Sequence, residues 1–157
     1  STIHANNSLN TIERLLDMDV ERYLLAASLT GIVSQRLARK LCDKCKKKRT
    51  ATAVEKNLFK SVINLDMEEV YDAPNGCPHC SRGYKGRIAL QEVLLINQDI
   101  RDAISAGLRK EELRKLVYNK DVITMLQDGL YKASAGFTTT EEVLKLIEVD
   151  DEDFTKK

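Results

Sequence analysis

Apolar residues first recur at helical spacing near the start of the chain. Four of them lie three or four positions apart and therefore fall on one face of a helix. They are Leu9, Ile12, Leu15 and Leu16. Asn7 or Ser8 can cap this helix, because short polar side chains accept hydrogen bonds from the first turn. The pattern predicts an amphipathic helix that begins near residue 8.

The next apolar positions predict a long helix that runs to the first cysteine. Between Val20 and Cys42, five residues can face a core at helical spacing. They are Tyr23, Leu24, Ala27, Ile32 and Leu37. Gly31 weakens the middle of this helix, since glycine is less favourable than alanine in a helix interior. On this interpretation the helix delivers the first cysteine pair at its C-terminal end.

Downstream of the first cysteine pair, the pattern predicts a helix and two strands. Thr52 and Glu55 stand at the spacing of a capping box, and a helical stripe follows. The stripe consists of Val54, Leu58, Val62 and Leu65. EEVYDAP (68–74) predicts a short strand, and GRIALQEVLLI (86–96) predicts a longer one because it is rich in β-branched and apolar residues. These strands flank the second cysteine pair.

The remainder of the chain predicts only helices. Asn97 caps the first of them and Gly107 ends it. Two more helices follow, and Gly136 ends the second. Thr138 stands three residues before Glu141 and predicts a capping box for the last helix. The acidic tail DDEDFTKK is expected to fray. The pattern as a whole predicts a mainly α chain with one small β element.

Composition narrows the class of protein. The chain has 157 residues, of which 43% are hydrophobic and 31% charged, so it can form one domain or two small ones. Its 25 basic residues nearly balance 24 acidic ones, which argues against a chain built mainly to coat nucleic acid. No apolar run approaches the roughly 18 residues of a membrane span, and no signal peptide opens the chain. Because it begins STIH rather than with Met, we interpret it as a fragment of a longer protein.

The cysteines form two CxxC pairs with 31 residues between them. They are Cys42, Cys45, Cys77 and Cys80. This arrangement is typical of a tetrahedral thiolate site for zinc, and it leaves the metal no open position for water. Zinc here is therefore predicted to be structural and to hold the small β element. Disulfides or a redox pair are the alternative, but nothing else in the chain indicates secretion.

Charged residues near the first pair allow two interpretations. Four thiolates and Zn²⁺ carry about −2 in total, and the basic run KLCDKCKKKR (40–49) can offset this charge. The alternative is a surface for a partner or nucleic acid.

His79 lies between the cysteines of the second pair and is expected to be solvated. His4 follows an apparent strand end, where α/β sheets bind ligands, although a structural role is the alternative.

Several stretches together resemble the C-terminal part of the ATPases of type II secretion and type IV pilus assembly. The most specific parts of this resemblance are QRLARKLCDKC (35–45) and GCPHCSRGYKGR (76–87). STIHANNS and LQDGLYKASAGFTTTEEVL also match, and the similarity runs over nearly the whole chain. The resemblance implies the C-terminal portion of a RecA-like P-loop α/β ATPase. Such a motor works as a hexamer in the cytoplasm and uses ATP and Mg²⁺.

The resemblance also implies roles for particular residues. His4 falls at the family's histidine box, which faces the γ-phosphate region and makes it the candidate catalytic residue. The four cysteines match the family's zinc element, which retraction ATPases lack, so the assembly or export branch is favoured. Arg36 and Arg39 fall near the nucleotide domain, where a subunit interface and simple helix packing remain open. Gly83 and Gly86 are expected to form the turn that leads into the second strand.

The expected domain division follows from the same resemblance. Residues 1–41 would be the remnant of the nucleotide-binding domain, 42–96 the tetracysteine zinc-binding subdomain, and 97–157 a helical subdomain. No GxxxxGK[ST] P-loop occurs in the chain, so the fragment alone is predicted to be inactive. The expected partners are further copies in a hexamer and an inner-membrane platform protein, at the cytoplasmic face of that membrane, and no nucleic acid.

Two other function classes remain open at this point. The first is a zinc-ribbon-like adaptor that binds nucleic acid or protein through the basic run, although the 5% aromatic content offers little base-stacking surface. The second is a thiol redox protein, which would need a reactive thiolate and a reversible disulfide.

Overall fold

The computed structural model describes residues 1–148, which form both helices and strands. The elements are α1 (Ser8–Asp17), α2 (Arg22–Ser28), β1 (Gly31–Leu41), β2 (Lys47–Thr50), α3 (Ala53–Ile63), β3 (Glu69–Asp72), β4 (Tyr84–Leu95), α4 (Gln98–Ala106), α5 (Lys110–Val117), α6 (Met125–Ser134) and α7 (Thr140–Glu148). β1 pairs with β4, and β2 with β3. The described part of the chain is therefore mixed α and β, and a mainly α fold is not confirmed. The acidic tail lies outside the described residues.

The chain divides into two compact units. The first contains residues 1–34 and 91–124, and the second contains residues 35–90 together with the described residues from 125 onwards. Because β1 and β4 each continue from one range into the other, each unit contains part of both strands. The predicted three-part domain division stays a prediction.

Helices α1, α2, α4 and α5 supply most of the core of the first unit. Their fully buried side chains include Leu9, Ile12, Ile100, Ile104 and Val117. The predicted caps are confirmed: the side chains of Asn7 and Asn97 accept hydrogen bonds from the amides of Asn10 and Ile100. Gly107 ends α4 in the left-handed region, as predicted. Local signals in the sequence therefore locate these helix ends correctly.

The predicted long helix between Val20 and Cys42 is wrong. α2 ends at Ser28, and β1 begins at Gly31. Within β1, Ile32, Ser34 and Ala38 are buried while the residues between them are mostly exposed, which is the period of a strand. The segment contains good helix formers, but pairing with β4 outweighs this weak local preference.

The core residues predicted for that helix change with it. Tyr23, Leu24 and Leu37 are exposed by 63%, 50% and 48%, and Ala27 is also exposed. Only Ile32 of the five is buried, and it lies on the inward face of β1. A helical stripe was inferred where the sequence in fact changes from helical to strand periodicity.

β1 and β4 run antiparallel. The amide of Ile96, just after β4, donates to the carbonyl of Thr30 at 3.0 Å. The amide of Cys42, just after β1, donates to the carbonyl of Gly83 at 2.9 Å. The start of each strand thus lies beside the end of the other, and the first cysteine is hydrogen-bonded to the chain that precedes β4.

The core of the second unit lies around α3, α6, α7 and the adjoining strands. Its fully buried side chains are Phe59, Leu90, Leu130 and Val143, among others. The predicted capping box of α3 is confirmed, since Thr52 Oγ1 accepts from the amide of Glu55 and the carboxylate of Glu55 accepts from the amide of Thr52. The predicted stripe is only partly right, because Val54 is exposed and Phe59 is the buried anchor.

The cap of α7 differs by one residue from the prediction. Helix α7 begins at Thr140, and Thr139 Oγ1 accepts from the amide of Glu142 at 3.2 Å. Thr138 instead donates its hydroxyl to the carbonyl of Arg39 at 2.9 Å.

Among residues 1–148, no helix combines the length and the apolar character that a membrane crossing requires.

Candidate metal centre

Two tight turns at strand ends present the four cysteines. Cys42 follows β1 directly, and the amide of Cys45 donates back to its carbonyl at 3.3 Å. Cys77 and Cys80 lie between β3 and β4, with the same contact at 3.1 Å. The first pair therefore follows a strand, and the prediction that the C-terminal end of a long helix delivers it is wrong.

The sulfur atoms have the dimensions of a tetrahedral site. All four Sγ atoms lie within 4.8 Å of one another. The Sγ of Cys42 is 3.9 Å from that of Cys77, and the Sγ of Cys80 is 3.7 Å from those of Cys45 and Cys77. Four sulfurs at 2.3 Å from a zinc ion would be separated by about 3.8 Å. Because a disulfide needs about 2.05 Å, these free thiols are spaced to hold a metal ion.

The thiols differ in how readily they ionise. Burial raises the pKa of Cys80. The amides of Cys77 and Gly83 and the neighbouring thiols lower it by more, so that the net pKa is about 7. The amide of Cys77 donates to the Sγ of Cys80 at 3.2 Å. Burial and the neighbouring thiols raise the pKa of Cys45 to about 12. Crowded thiols resist ionising together, and a bound dication removes this conflict.

Glycines allow the second turn to fold tightly. Gly76 and Gly83 have φ of +65° and +87°, and a Cβ on Gly76 would lie 2.9 Å from the amide nitrogen of Gly83. A Cβ on Gly83 would meet Ala73. Gly86 also has positive φ, at +77°, but lies inside β4 with open space around it. The predicted turn is confirmed at Gly83 but not at Gly86, because β4 already begins at Tyr84; Gly76 was not predicted.

The basic run is paired with carboxylates of its own unit. Lys46 lies 2.8 Å from Asp43, and Lys48 lies 3.4 Å from Glu69. Arg49 binds Glu55 at 2.8 Å and also contacts Asp72 at 3.2 Å. These ion pairs favour the interpretation of the run as a solvated face over a nucleic-acid surface.

Both histidines are exposed and lie outside helices and strands. His79 lies in the turn between Cys77 and Cys80, as expected for a solvated side chain. His4 precedes the first residue of α1 by four positions, and its predicted role toward a nucleotide stays a prediction. Arg36 and Arg39 both lie on β1, so helix packing does not apply to them.

A buried carboxylate near the histidine segment was missed. Glu92 is only 3% exposed, and its Oε1 accepts from the amide of Ser8 at 3.1 Å and the hydroxyl of Tyr118 at 3.3 Å. Burial, together with Glu92, raises the pKa of Tyr118 well above its ordinary value. The carboxylate thus satisfies the first free amide of α1. Strand alternation between Leu90 and Leu94 points Glu92 inward and is the signal that could have found it.

Comparison with known proteins identifies the class. The sequence model of the family described as "Type II/IV secretion system protein" matches residues 1–145. The type IV pilus assembly ATPase PilB of Thermus thermophilus is 38% identical over 146 residues, which cover 92% of this chain and 16% of that protein. Type II secretion system protein E of Pectobacterium carotovorum is 38% identical over 147 residues, which cover 93% of this chain and 28% of that protein.

The chain belongs to the type II/IV secretion system protein family. It spans less than a third of the length of these relatives. Among solved structures, the Legionella pneumophila ATPase DotB matches with a TM-score of 0.54 and 17% identity, over 94% of this chain and 30% of that one. At this identity the likeness concerns the fold alone.

Proposed function

We propose that this chain is the zinc-bearing C-terminal region of a motor ATPase that drives type IV pilus assembly or type II secretion. The family match and the names of the relatives support the motor, and the likeness to DotB supports the fold. The observation that carries the proposal for this chain is the Sγ–Sγ spacing of 3.7–3.9 Å, which suits a thiolate-bound zinc ion.

The zinc ion has a structural role in this proposal. Cys42 and Cys45 bind it from the turn between β1 and β2, and Cys77 and Cys80 from the turn between β3 and β4. Four thiolates complete a tetrahedron, so the metal cross-links the two turns and leaves no position for a reacting water. Because the turns are separated by 31 residues, this cross-link constrains α3 and both small strands between them.

The catalytic part of the proposal concerns the intact protein. Phosphoryl transfer needs a P-loop, its lysine and Mg²⁺ around the phosphates, and the 157 residues contain no such motif. We therefore assign ATP and Mg²⁺ binding to a longer chain, in which His4 faces the γ-phosphate region. That motor works as a hexamer against an inner-membrane platform protein, at the cytoplasmic face of the membrane.

Metal analysis of the purified chain tests the zinc site. We expect about one zinc ion per chain, and Cys77→Ser should lose it because three thiolates bind zinc much less tightly than four. His79→Ala is the matched control, since this exposed side chain lies in the same turn and should leave the stoichiometry unchanged. A Cys77→Ser chain that retains one tightly bound zinc ion would contradict the site.

ATPase assays test the catalytic part. The 157-residue chain should show no turnover above background, whereas a chain extended upstream through a P-loop should hydrolyse ATP. In that longer protein, His4→Ala should lower kcat by roughly 10²-fold, the typical cost of one stabilising contact to a transition state. ATP hydrolysis by the 157-residue chain would contradict the proposal. A longer chain that contains the P-loop but does not hydrolyse ATP would also contradict it.

A further inference from the structure

The edge of β1 next to the first cysteine is covered by the loop that leads into α7. The amide of Leu41 donates to the carbonyl of Phe137 at 2.8 Å. The hydroxyl of Thr138 donates to the carbonyl of Arg39 at 2.9 Å. Backbone groups of alternate residues point to the same edge of a strand, so Arg39 and Leu41 share this edge. We call residues 136–142 the C-terminal clamp.

The opposite edge of the same strand end is also occupied. The amide of Cys42 donates to the carbonyl of Gly83 at 2.9 Å, on the side where β4 pairs with β1. The backbone that leads into the first cysteine pair is therefore held on both edges. One edge depends on the second cysteine turn, and the other depends on the C-terminal clamp.

An ion pair fixes the clamp to β1. The amide and Nε of Arg39 donate to Oε1 of Glu142 at 3.2 and 3.0 Å, and Nη2 donates to Oε2 at 2.8 Å. The side chain of Glu142 is only 8% exposed, whereas that of Arg39 is about half exposed. The hydrogen bond from Arg39 lowers the pKa of Glu142 despite burial, so this bidentate pair is ionised at neutral pH.

Other contacts extend the clamp to the remaining flanks of the cysteine turns. The guanidinium of Arg39 lies 4.2 Å from the ring centre of Tyr84, which follows Cys80 by four residues. The hydroxyl of Tyr84 is 3.0 Å from Oγ1 of Thr139. Nζ of Lys46, directly after Cys45, donates to the carbonyl of Gly136 at 3.1 Å. The clamp therefore contacts residues beside both cysteine pairs.

We propose that the C-terminal clamp, through Glu142 and Thr138, holds the first cysteine turn in its metal-binding geometry and couples the docking of α7 to metal affinity. Arg39, Thr138 and Glu142 are positioning residues in this proposal, since none supplies a metal ligand. The inference rests on the proposed zinc site.

The coupling follows from preorganisation. A metal site that is already assembled binds its ion without first ordering the chain, so contacts that hold the ligands raise affinity. Glu142 is the buried end of a pair whose other end lies three residues before Cys42. By thermodynamic reciprocity, the bound metal must then stabilise the docked clamp by the same factor.

Zinc affinity of Glu142→Gln tests the proposal. Glutamine keeps the size of the side chain but removes its charge, and we expect zinc to bind about tenfold more weakly, as for other residues that orient metal ligands. Affinity is measured by competition with a chromophoric zinc chelator on the whole chain. Glu141→Gln is the matched control, because Glu141 is an exposed carboxylate on the same helical turn that acts on Arg39 only through a weaker electrostatic contact, and its loss should change zinc affinity far less.

Three further measurements exclude a merely structural effect. Thr138→Val removes one hydrogen bond without a change in shape and should weaken zinc binding less than Glu142→Gln does. In a double-mutant cycle, adding Arg39→Gln to Glu142→Gln should weaken binding little further, because the pair is already broken. Amide hydrogen exchange should rise in residues 137–147 when zinc is removed from the unchanged protein.

Each result has a distinct meaning. The Glu142→Gln chain could bind zinc as tightly as the unchanged chain and yet be less stable in both the zinc-bound and zinc-free forms. This result would overturn the coupling but leave the zinc site intact. A fully additive double-mutant cycle would also overturn it. Failure of the unchanged chain to bind zinc would overturn both this inference and the proposed site.

Discussion

Gly83 adopts φ of +87° at the last residue before β4, where the second cysteine turn meets the strand. A Cβ at this position would lie 2.7 Å from the Cβ of Ala73 and closer still to its carbonyl oxygen. Gly86 has a similar φ of +77°, but nothing lies near its Cβ position. The two glycines therefore separate the cost of backbone strain from the cost of steric overlap.

Substitution of each glycine by alanine should give different losses of stability. Gly86→Ala should cost about 1 kcal/mol, which is the typical strain of a non-glycine residue in the left-handed region. Gly83→Ala should cost about 3 kcal/mol, because displacement of Ala73 adds to that strain. Urea unfolding followed by circular dichroism gives both values. Equal losses for the two variants would show that the overlap with Ala73 relaxes at no cost.

Glu55 should make stability depend on pH in acid. The hydrogen bond from Arg49 and those from Thr52 outweigh burial and lower its pKa to about 2. Because the folded-state pKa lies below the unfolded value, the carboxylate stabilises the fold above about pH 4.5, and this stabilisation is lost as pH falls toward 2.

Glu55→Gln tests this pH dependence, since glutamine can still form the capping box. The free energy of unfolding should be lower than that of the unchanged chain by about 1 kcal/mol at pH 7, a small value because Arg49 is partly exposed and screened. The difference should approach zero near pH 2. A difference that stays constant between pH 7 and pH 2 would refute the ionic origin of the effect.

The confirmed predictions about single residues depend on sequence signals within a few positions of each residue. Asn7, Asn97 and the Thr52–Glu55 box were identified from the sequence because a cap depends on residues three or four positions away. Glu92 was missed because its partners are distant in sequence: Ser8 is 84 residues away. Burial of a carboxylate becomes visible only once the strand that carries it is placed beside α1.

At the scale of elements, β1 shows where sequence reasoning fails. The stretch GIVSQRLARKL supports either a helical stripe or an alternating strand over so few residues. Its strand conformation depends on hydrogen bonding with β4, which lies more than 40 residues downstream. β4 itself was predicted correctly, because GRIALQEVLLI is rich in β-branched and apolar residues. Strand pairing is non-local, whereas helix capping is not.

The close contact between α6 and α7 depends on a glycine, which has no side chain, at position 129. A Cβ on Gly129 of α6 would lie 2.5 Å from Cγ1 of Val143 on α7, and Val143 is fully buried. Gly129→Ala should therefore destabilise the chain by about 1–3 kcal/mol, although alanine favours a helix. The helices approach closely here because glycine leaves room for valine.

The sign of this effect should reverse when valine is shortened. In a Val143→Ala background, Gly129→Ala should be neutral or stabilise by up to about 1 kcal/mol, since the helix preference then opposes only a 3.3 Å contact with Cδ1 of Leu90. Thermal or urea unfolding of the four chains completes the double-mutant cycle. Equal destabilisation by Gly129→Ala in both backgrounds would show that Val143 is not the obstacle.

At the scale of the whole chain, the grouping of the four cysteines was predictable from the sequence, while the elements that present them were not. The spacing of Cys42, Cys45, Cys77 and Cys80 alone indicated a closed four-thiolate site, because two CxxC pairs suit one tetrahedral ion. The same spacing cannot say which elements deliver the pairs, and both turns in fact lie at strand ends. The grouping of residues 1–34 with 91–124 also depends on contacts distant in sequence.

Removal of zinc should affect the two units differently. The unit with the cysteine turns should lose amide protection in β2, β3 and the start of β4, because the proposed zinc ion would cross-link the turns that join these strands. The other unit has its own core around Ile12, Ile100 and Val117, so α1, α4 and α5 should keep their protection. Hydrogen exchange with and without a chelator measures both, and Cys77→Ser, which should not respond to the chelator, is the control. A uniform rise in exchange across both units would show that zinc supports the whole chain rather than the turns that bind it.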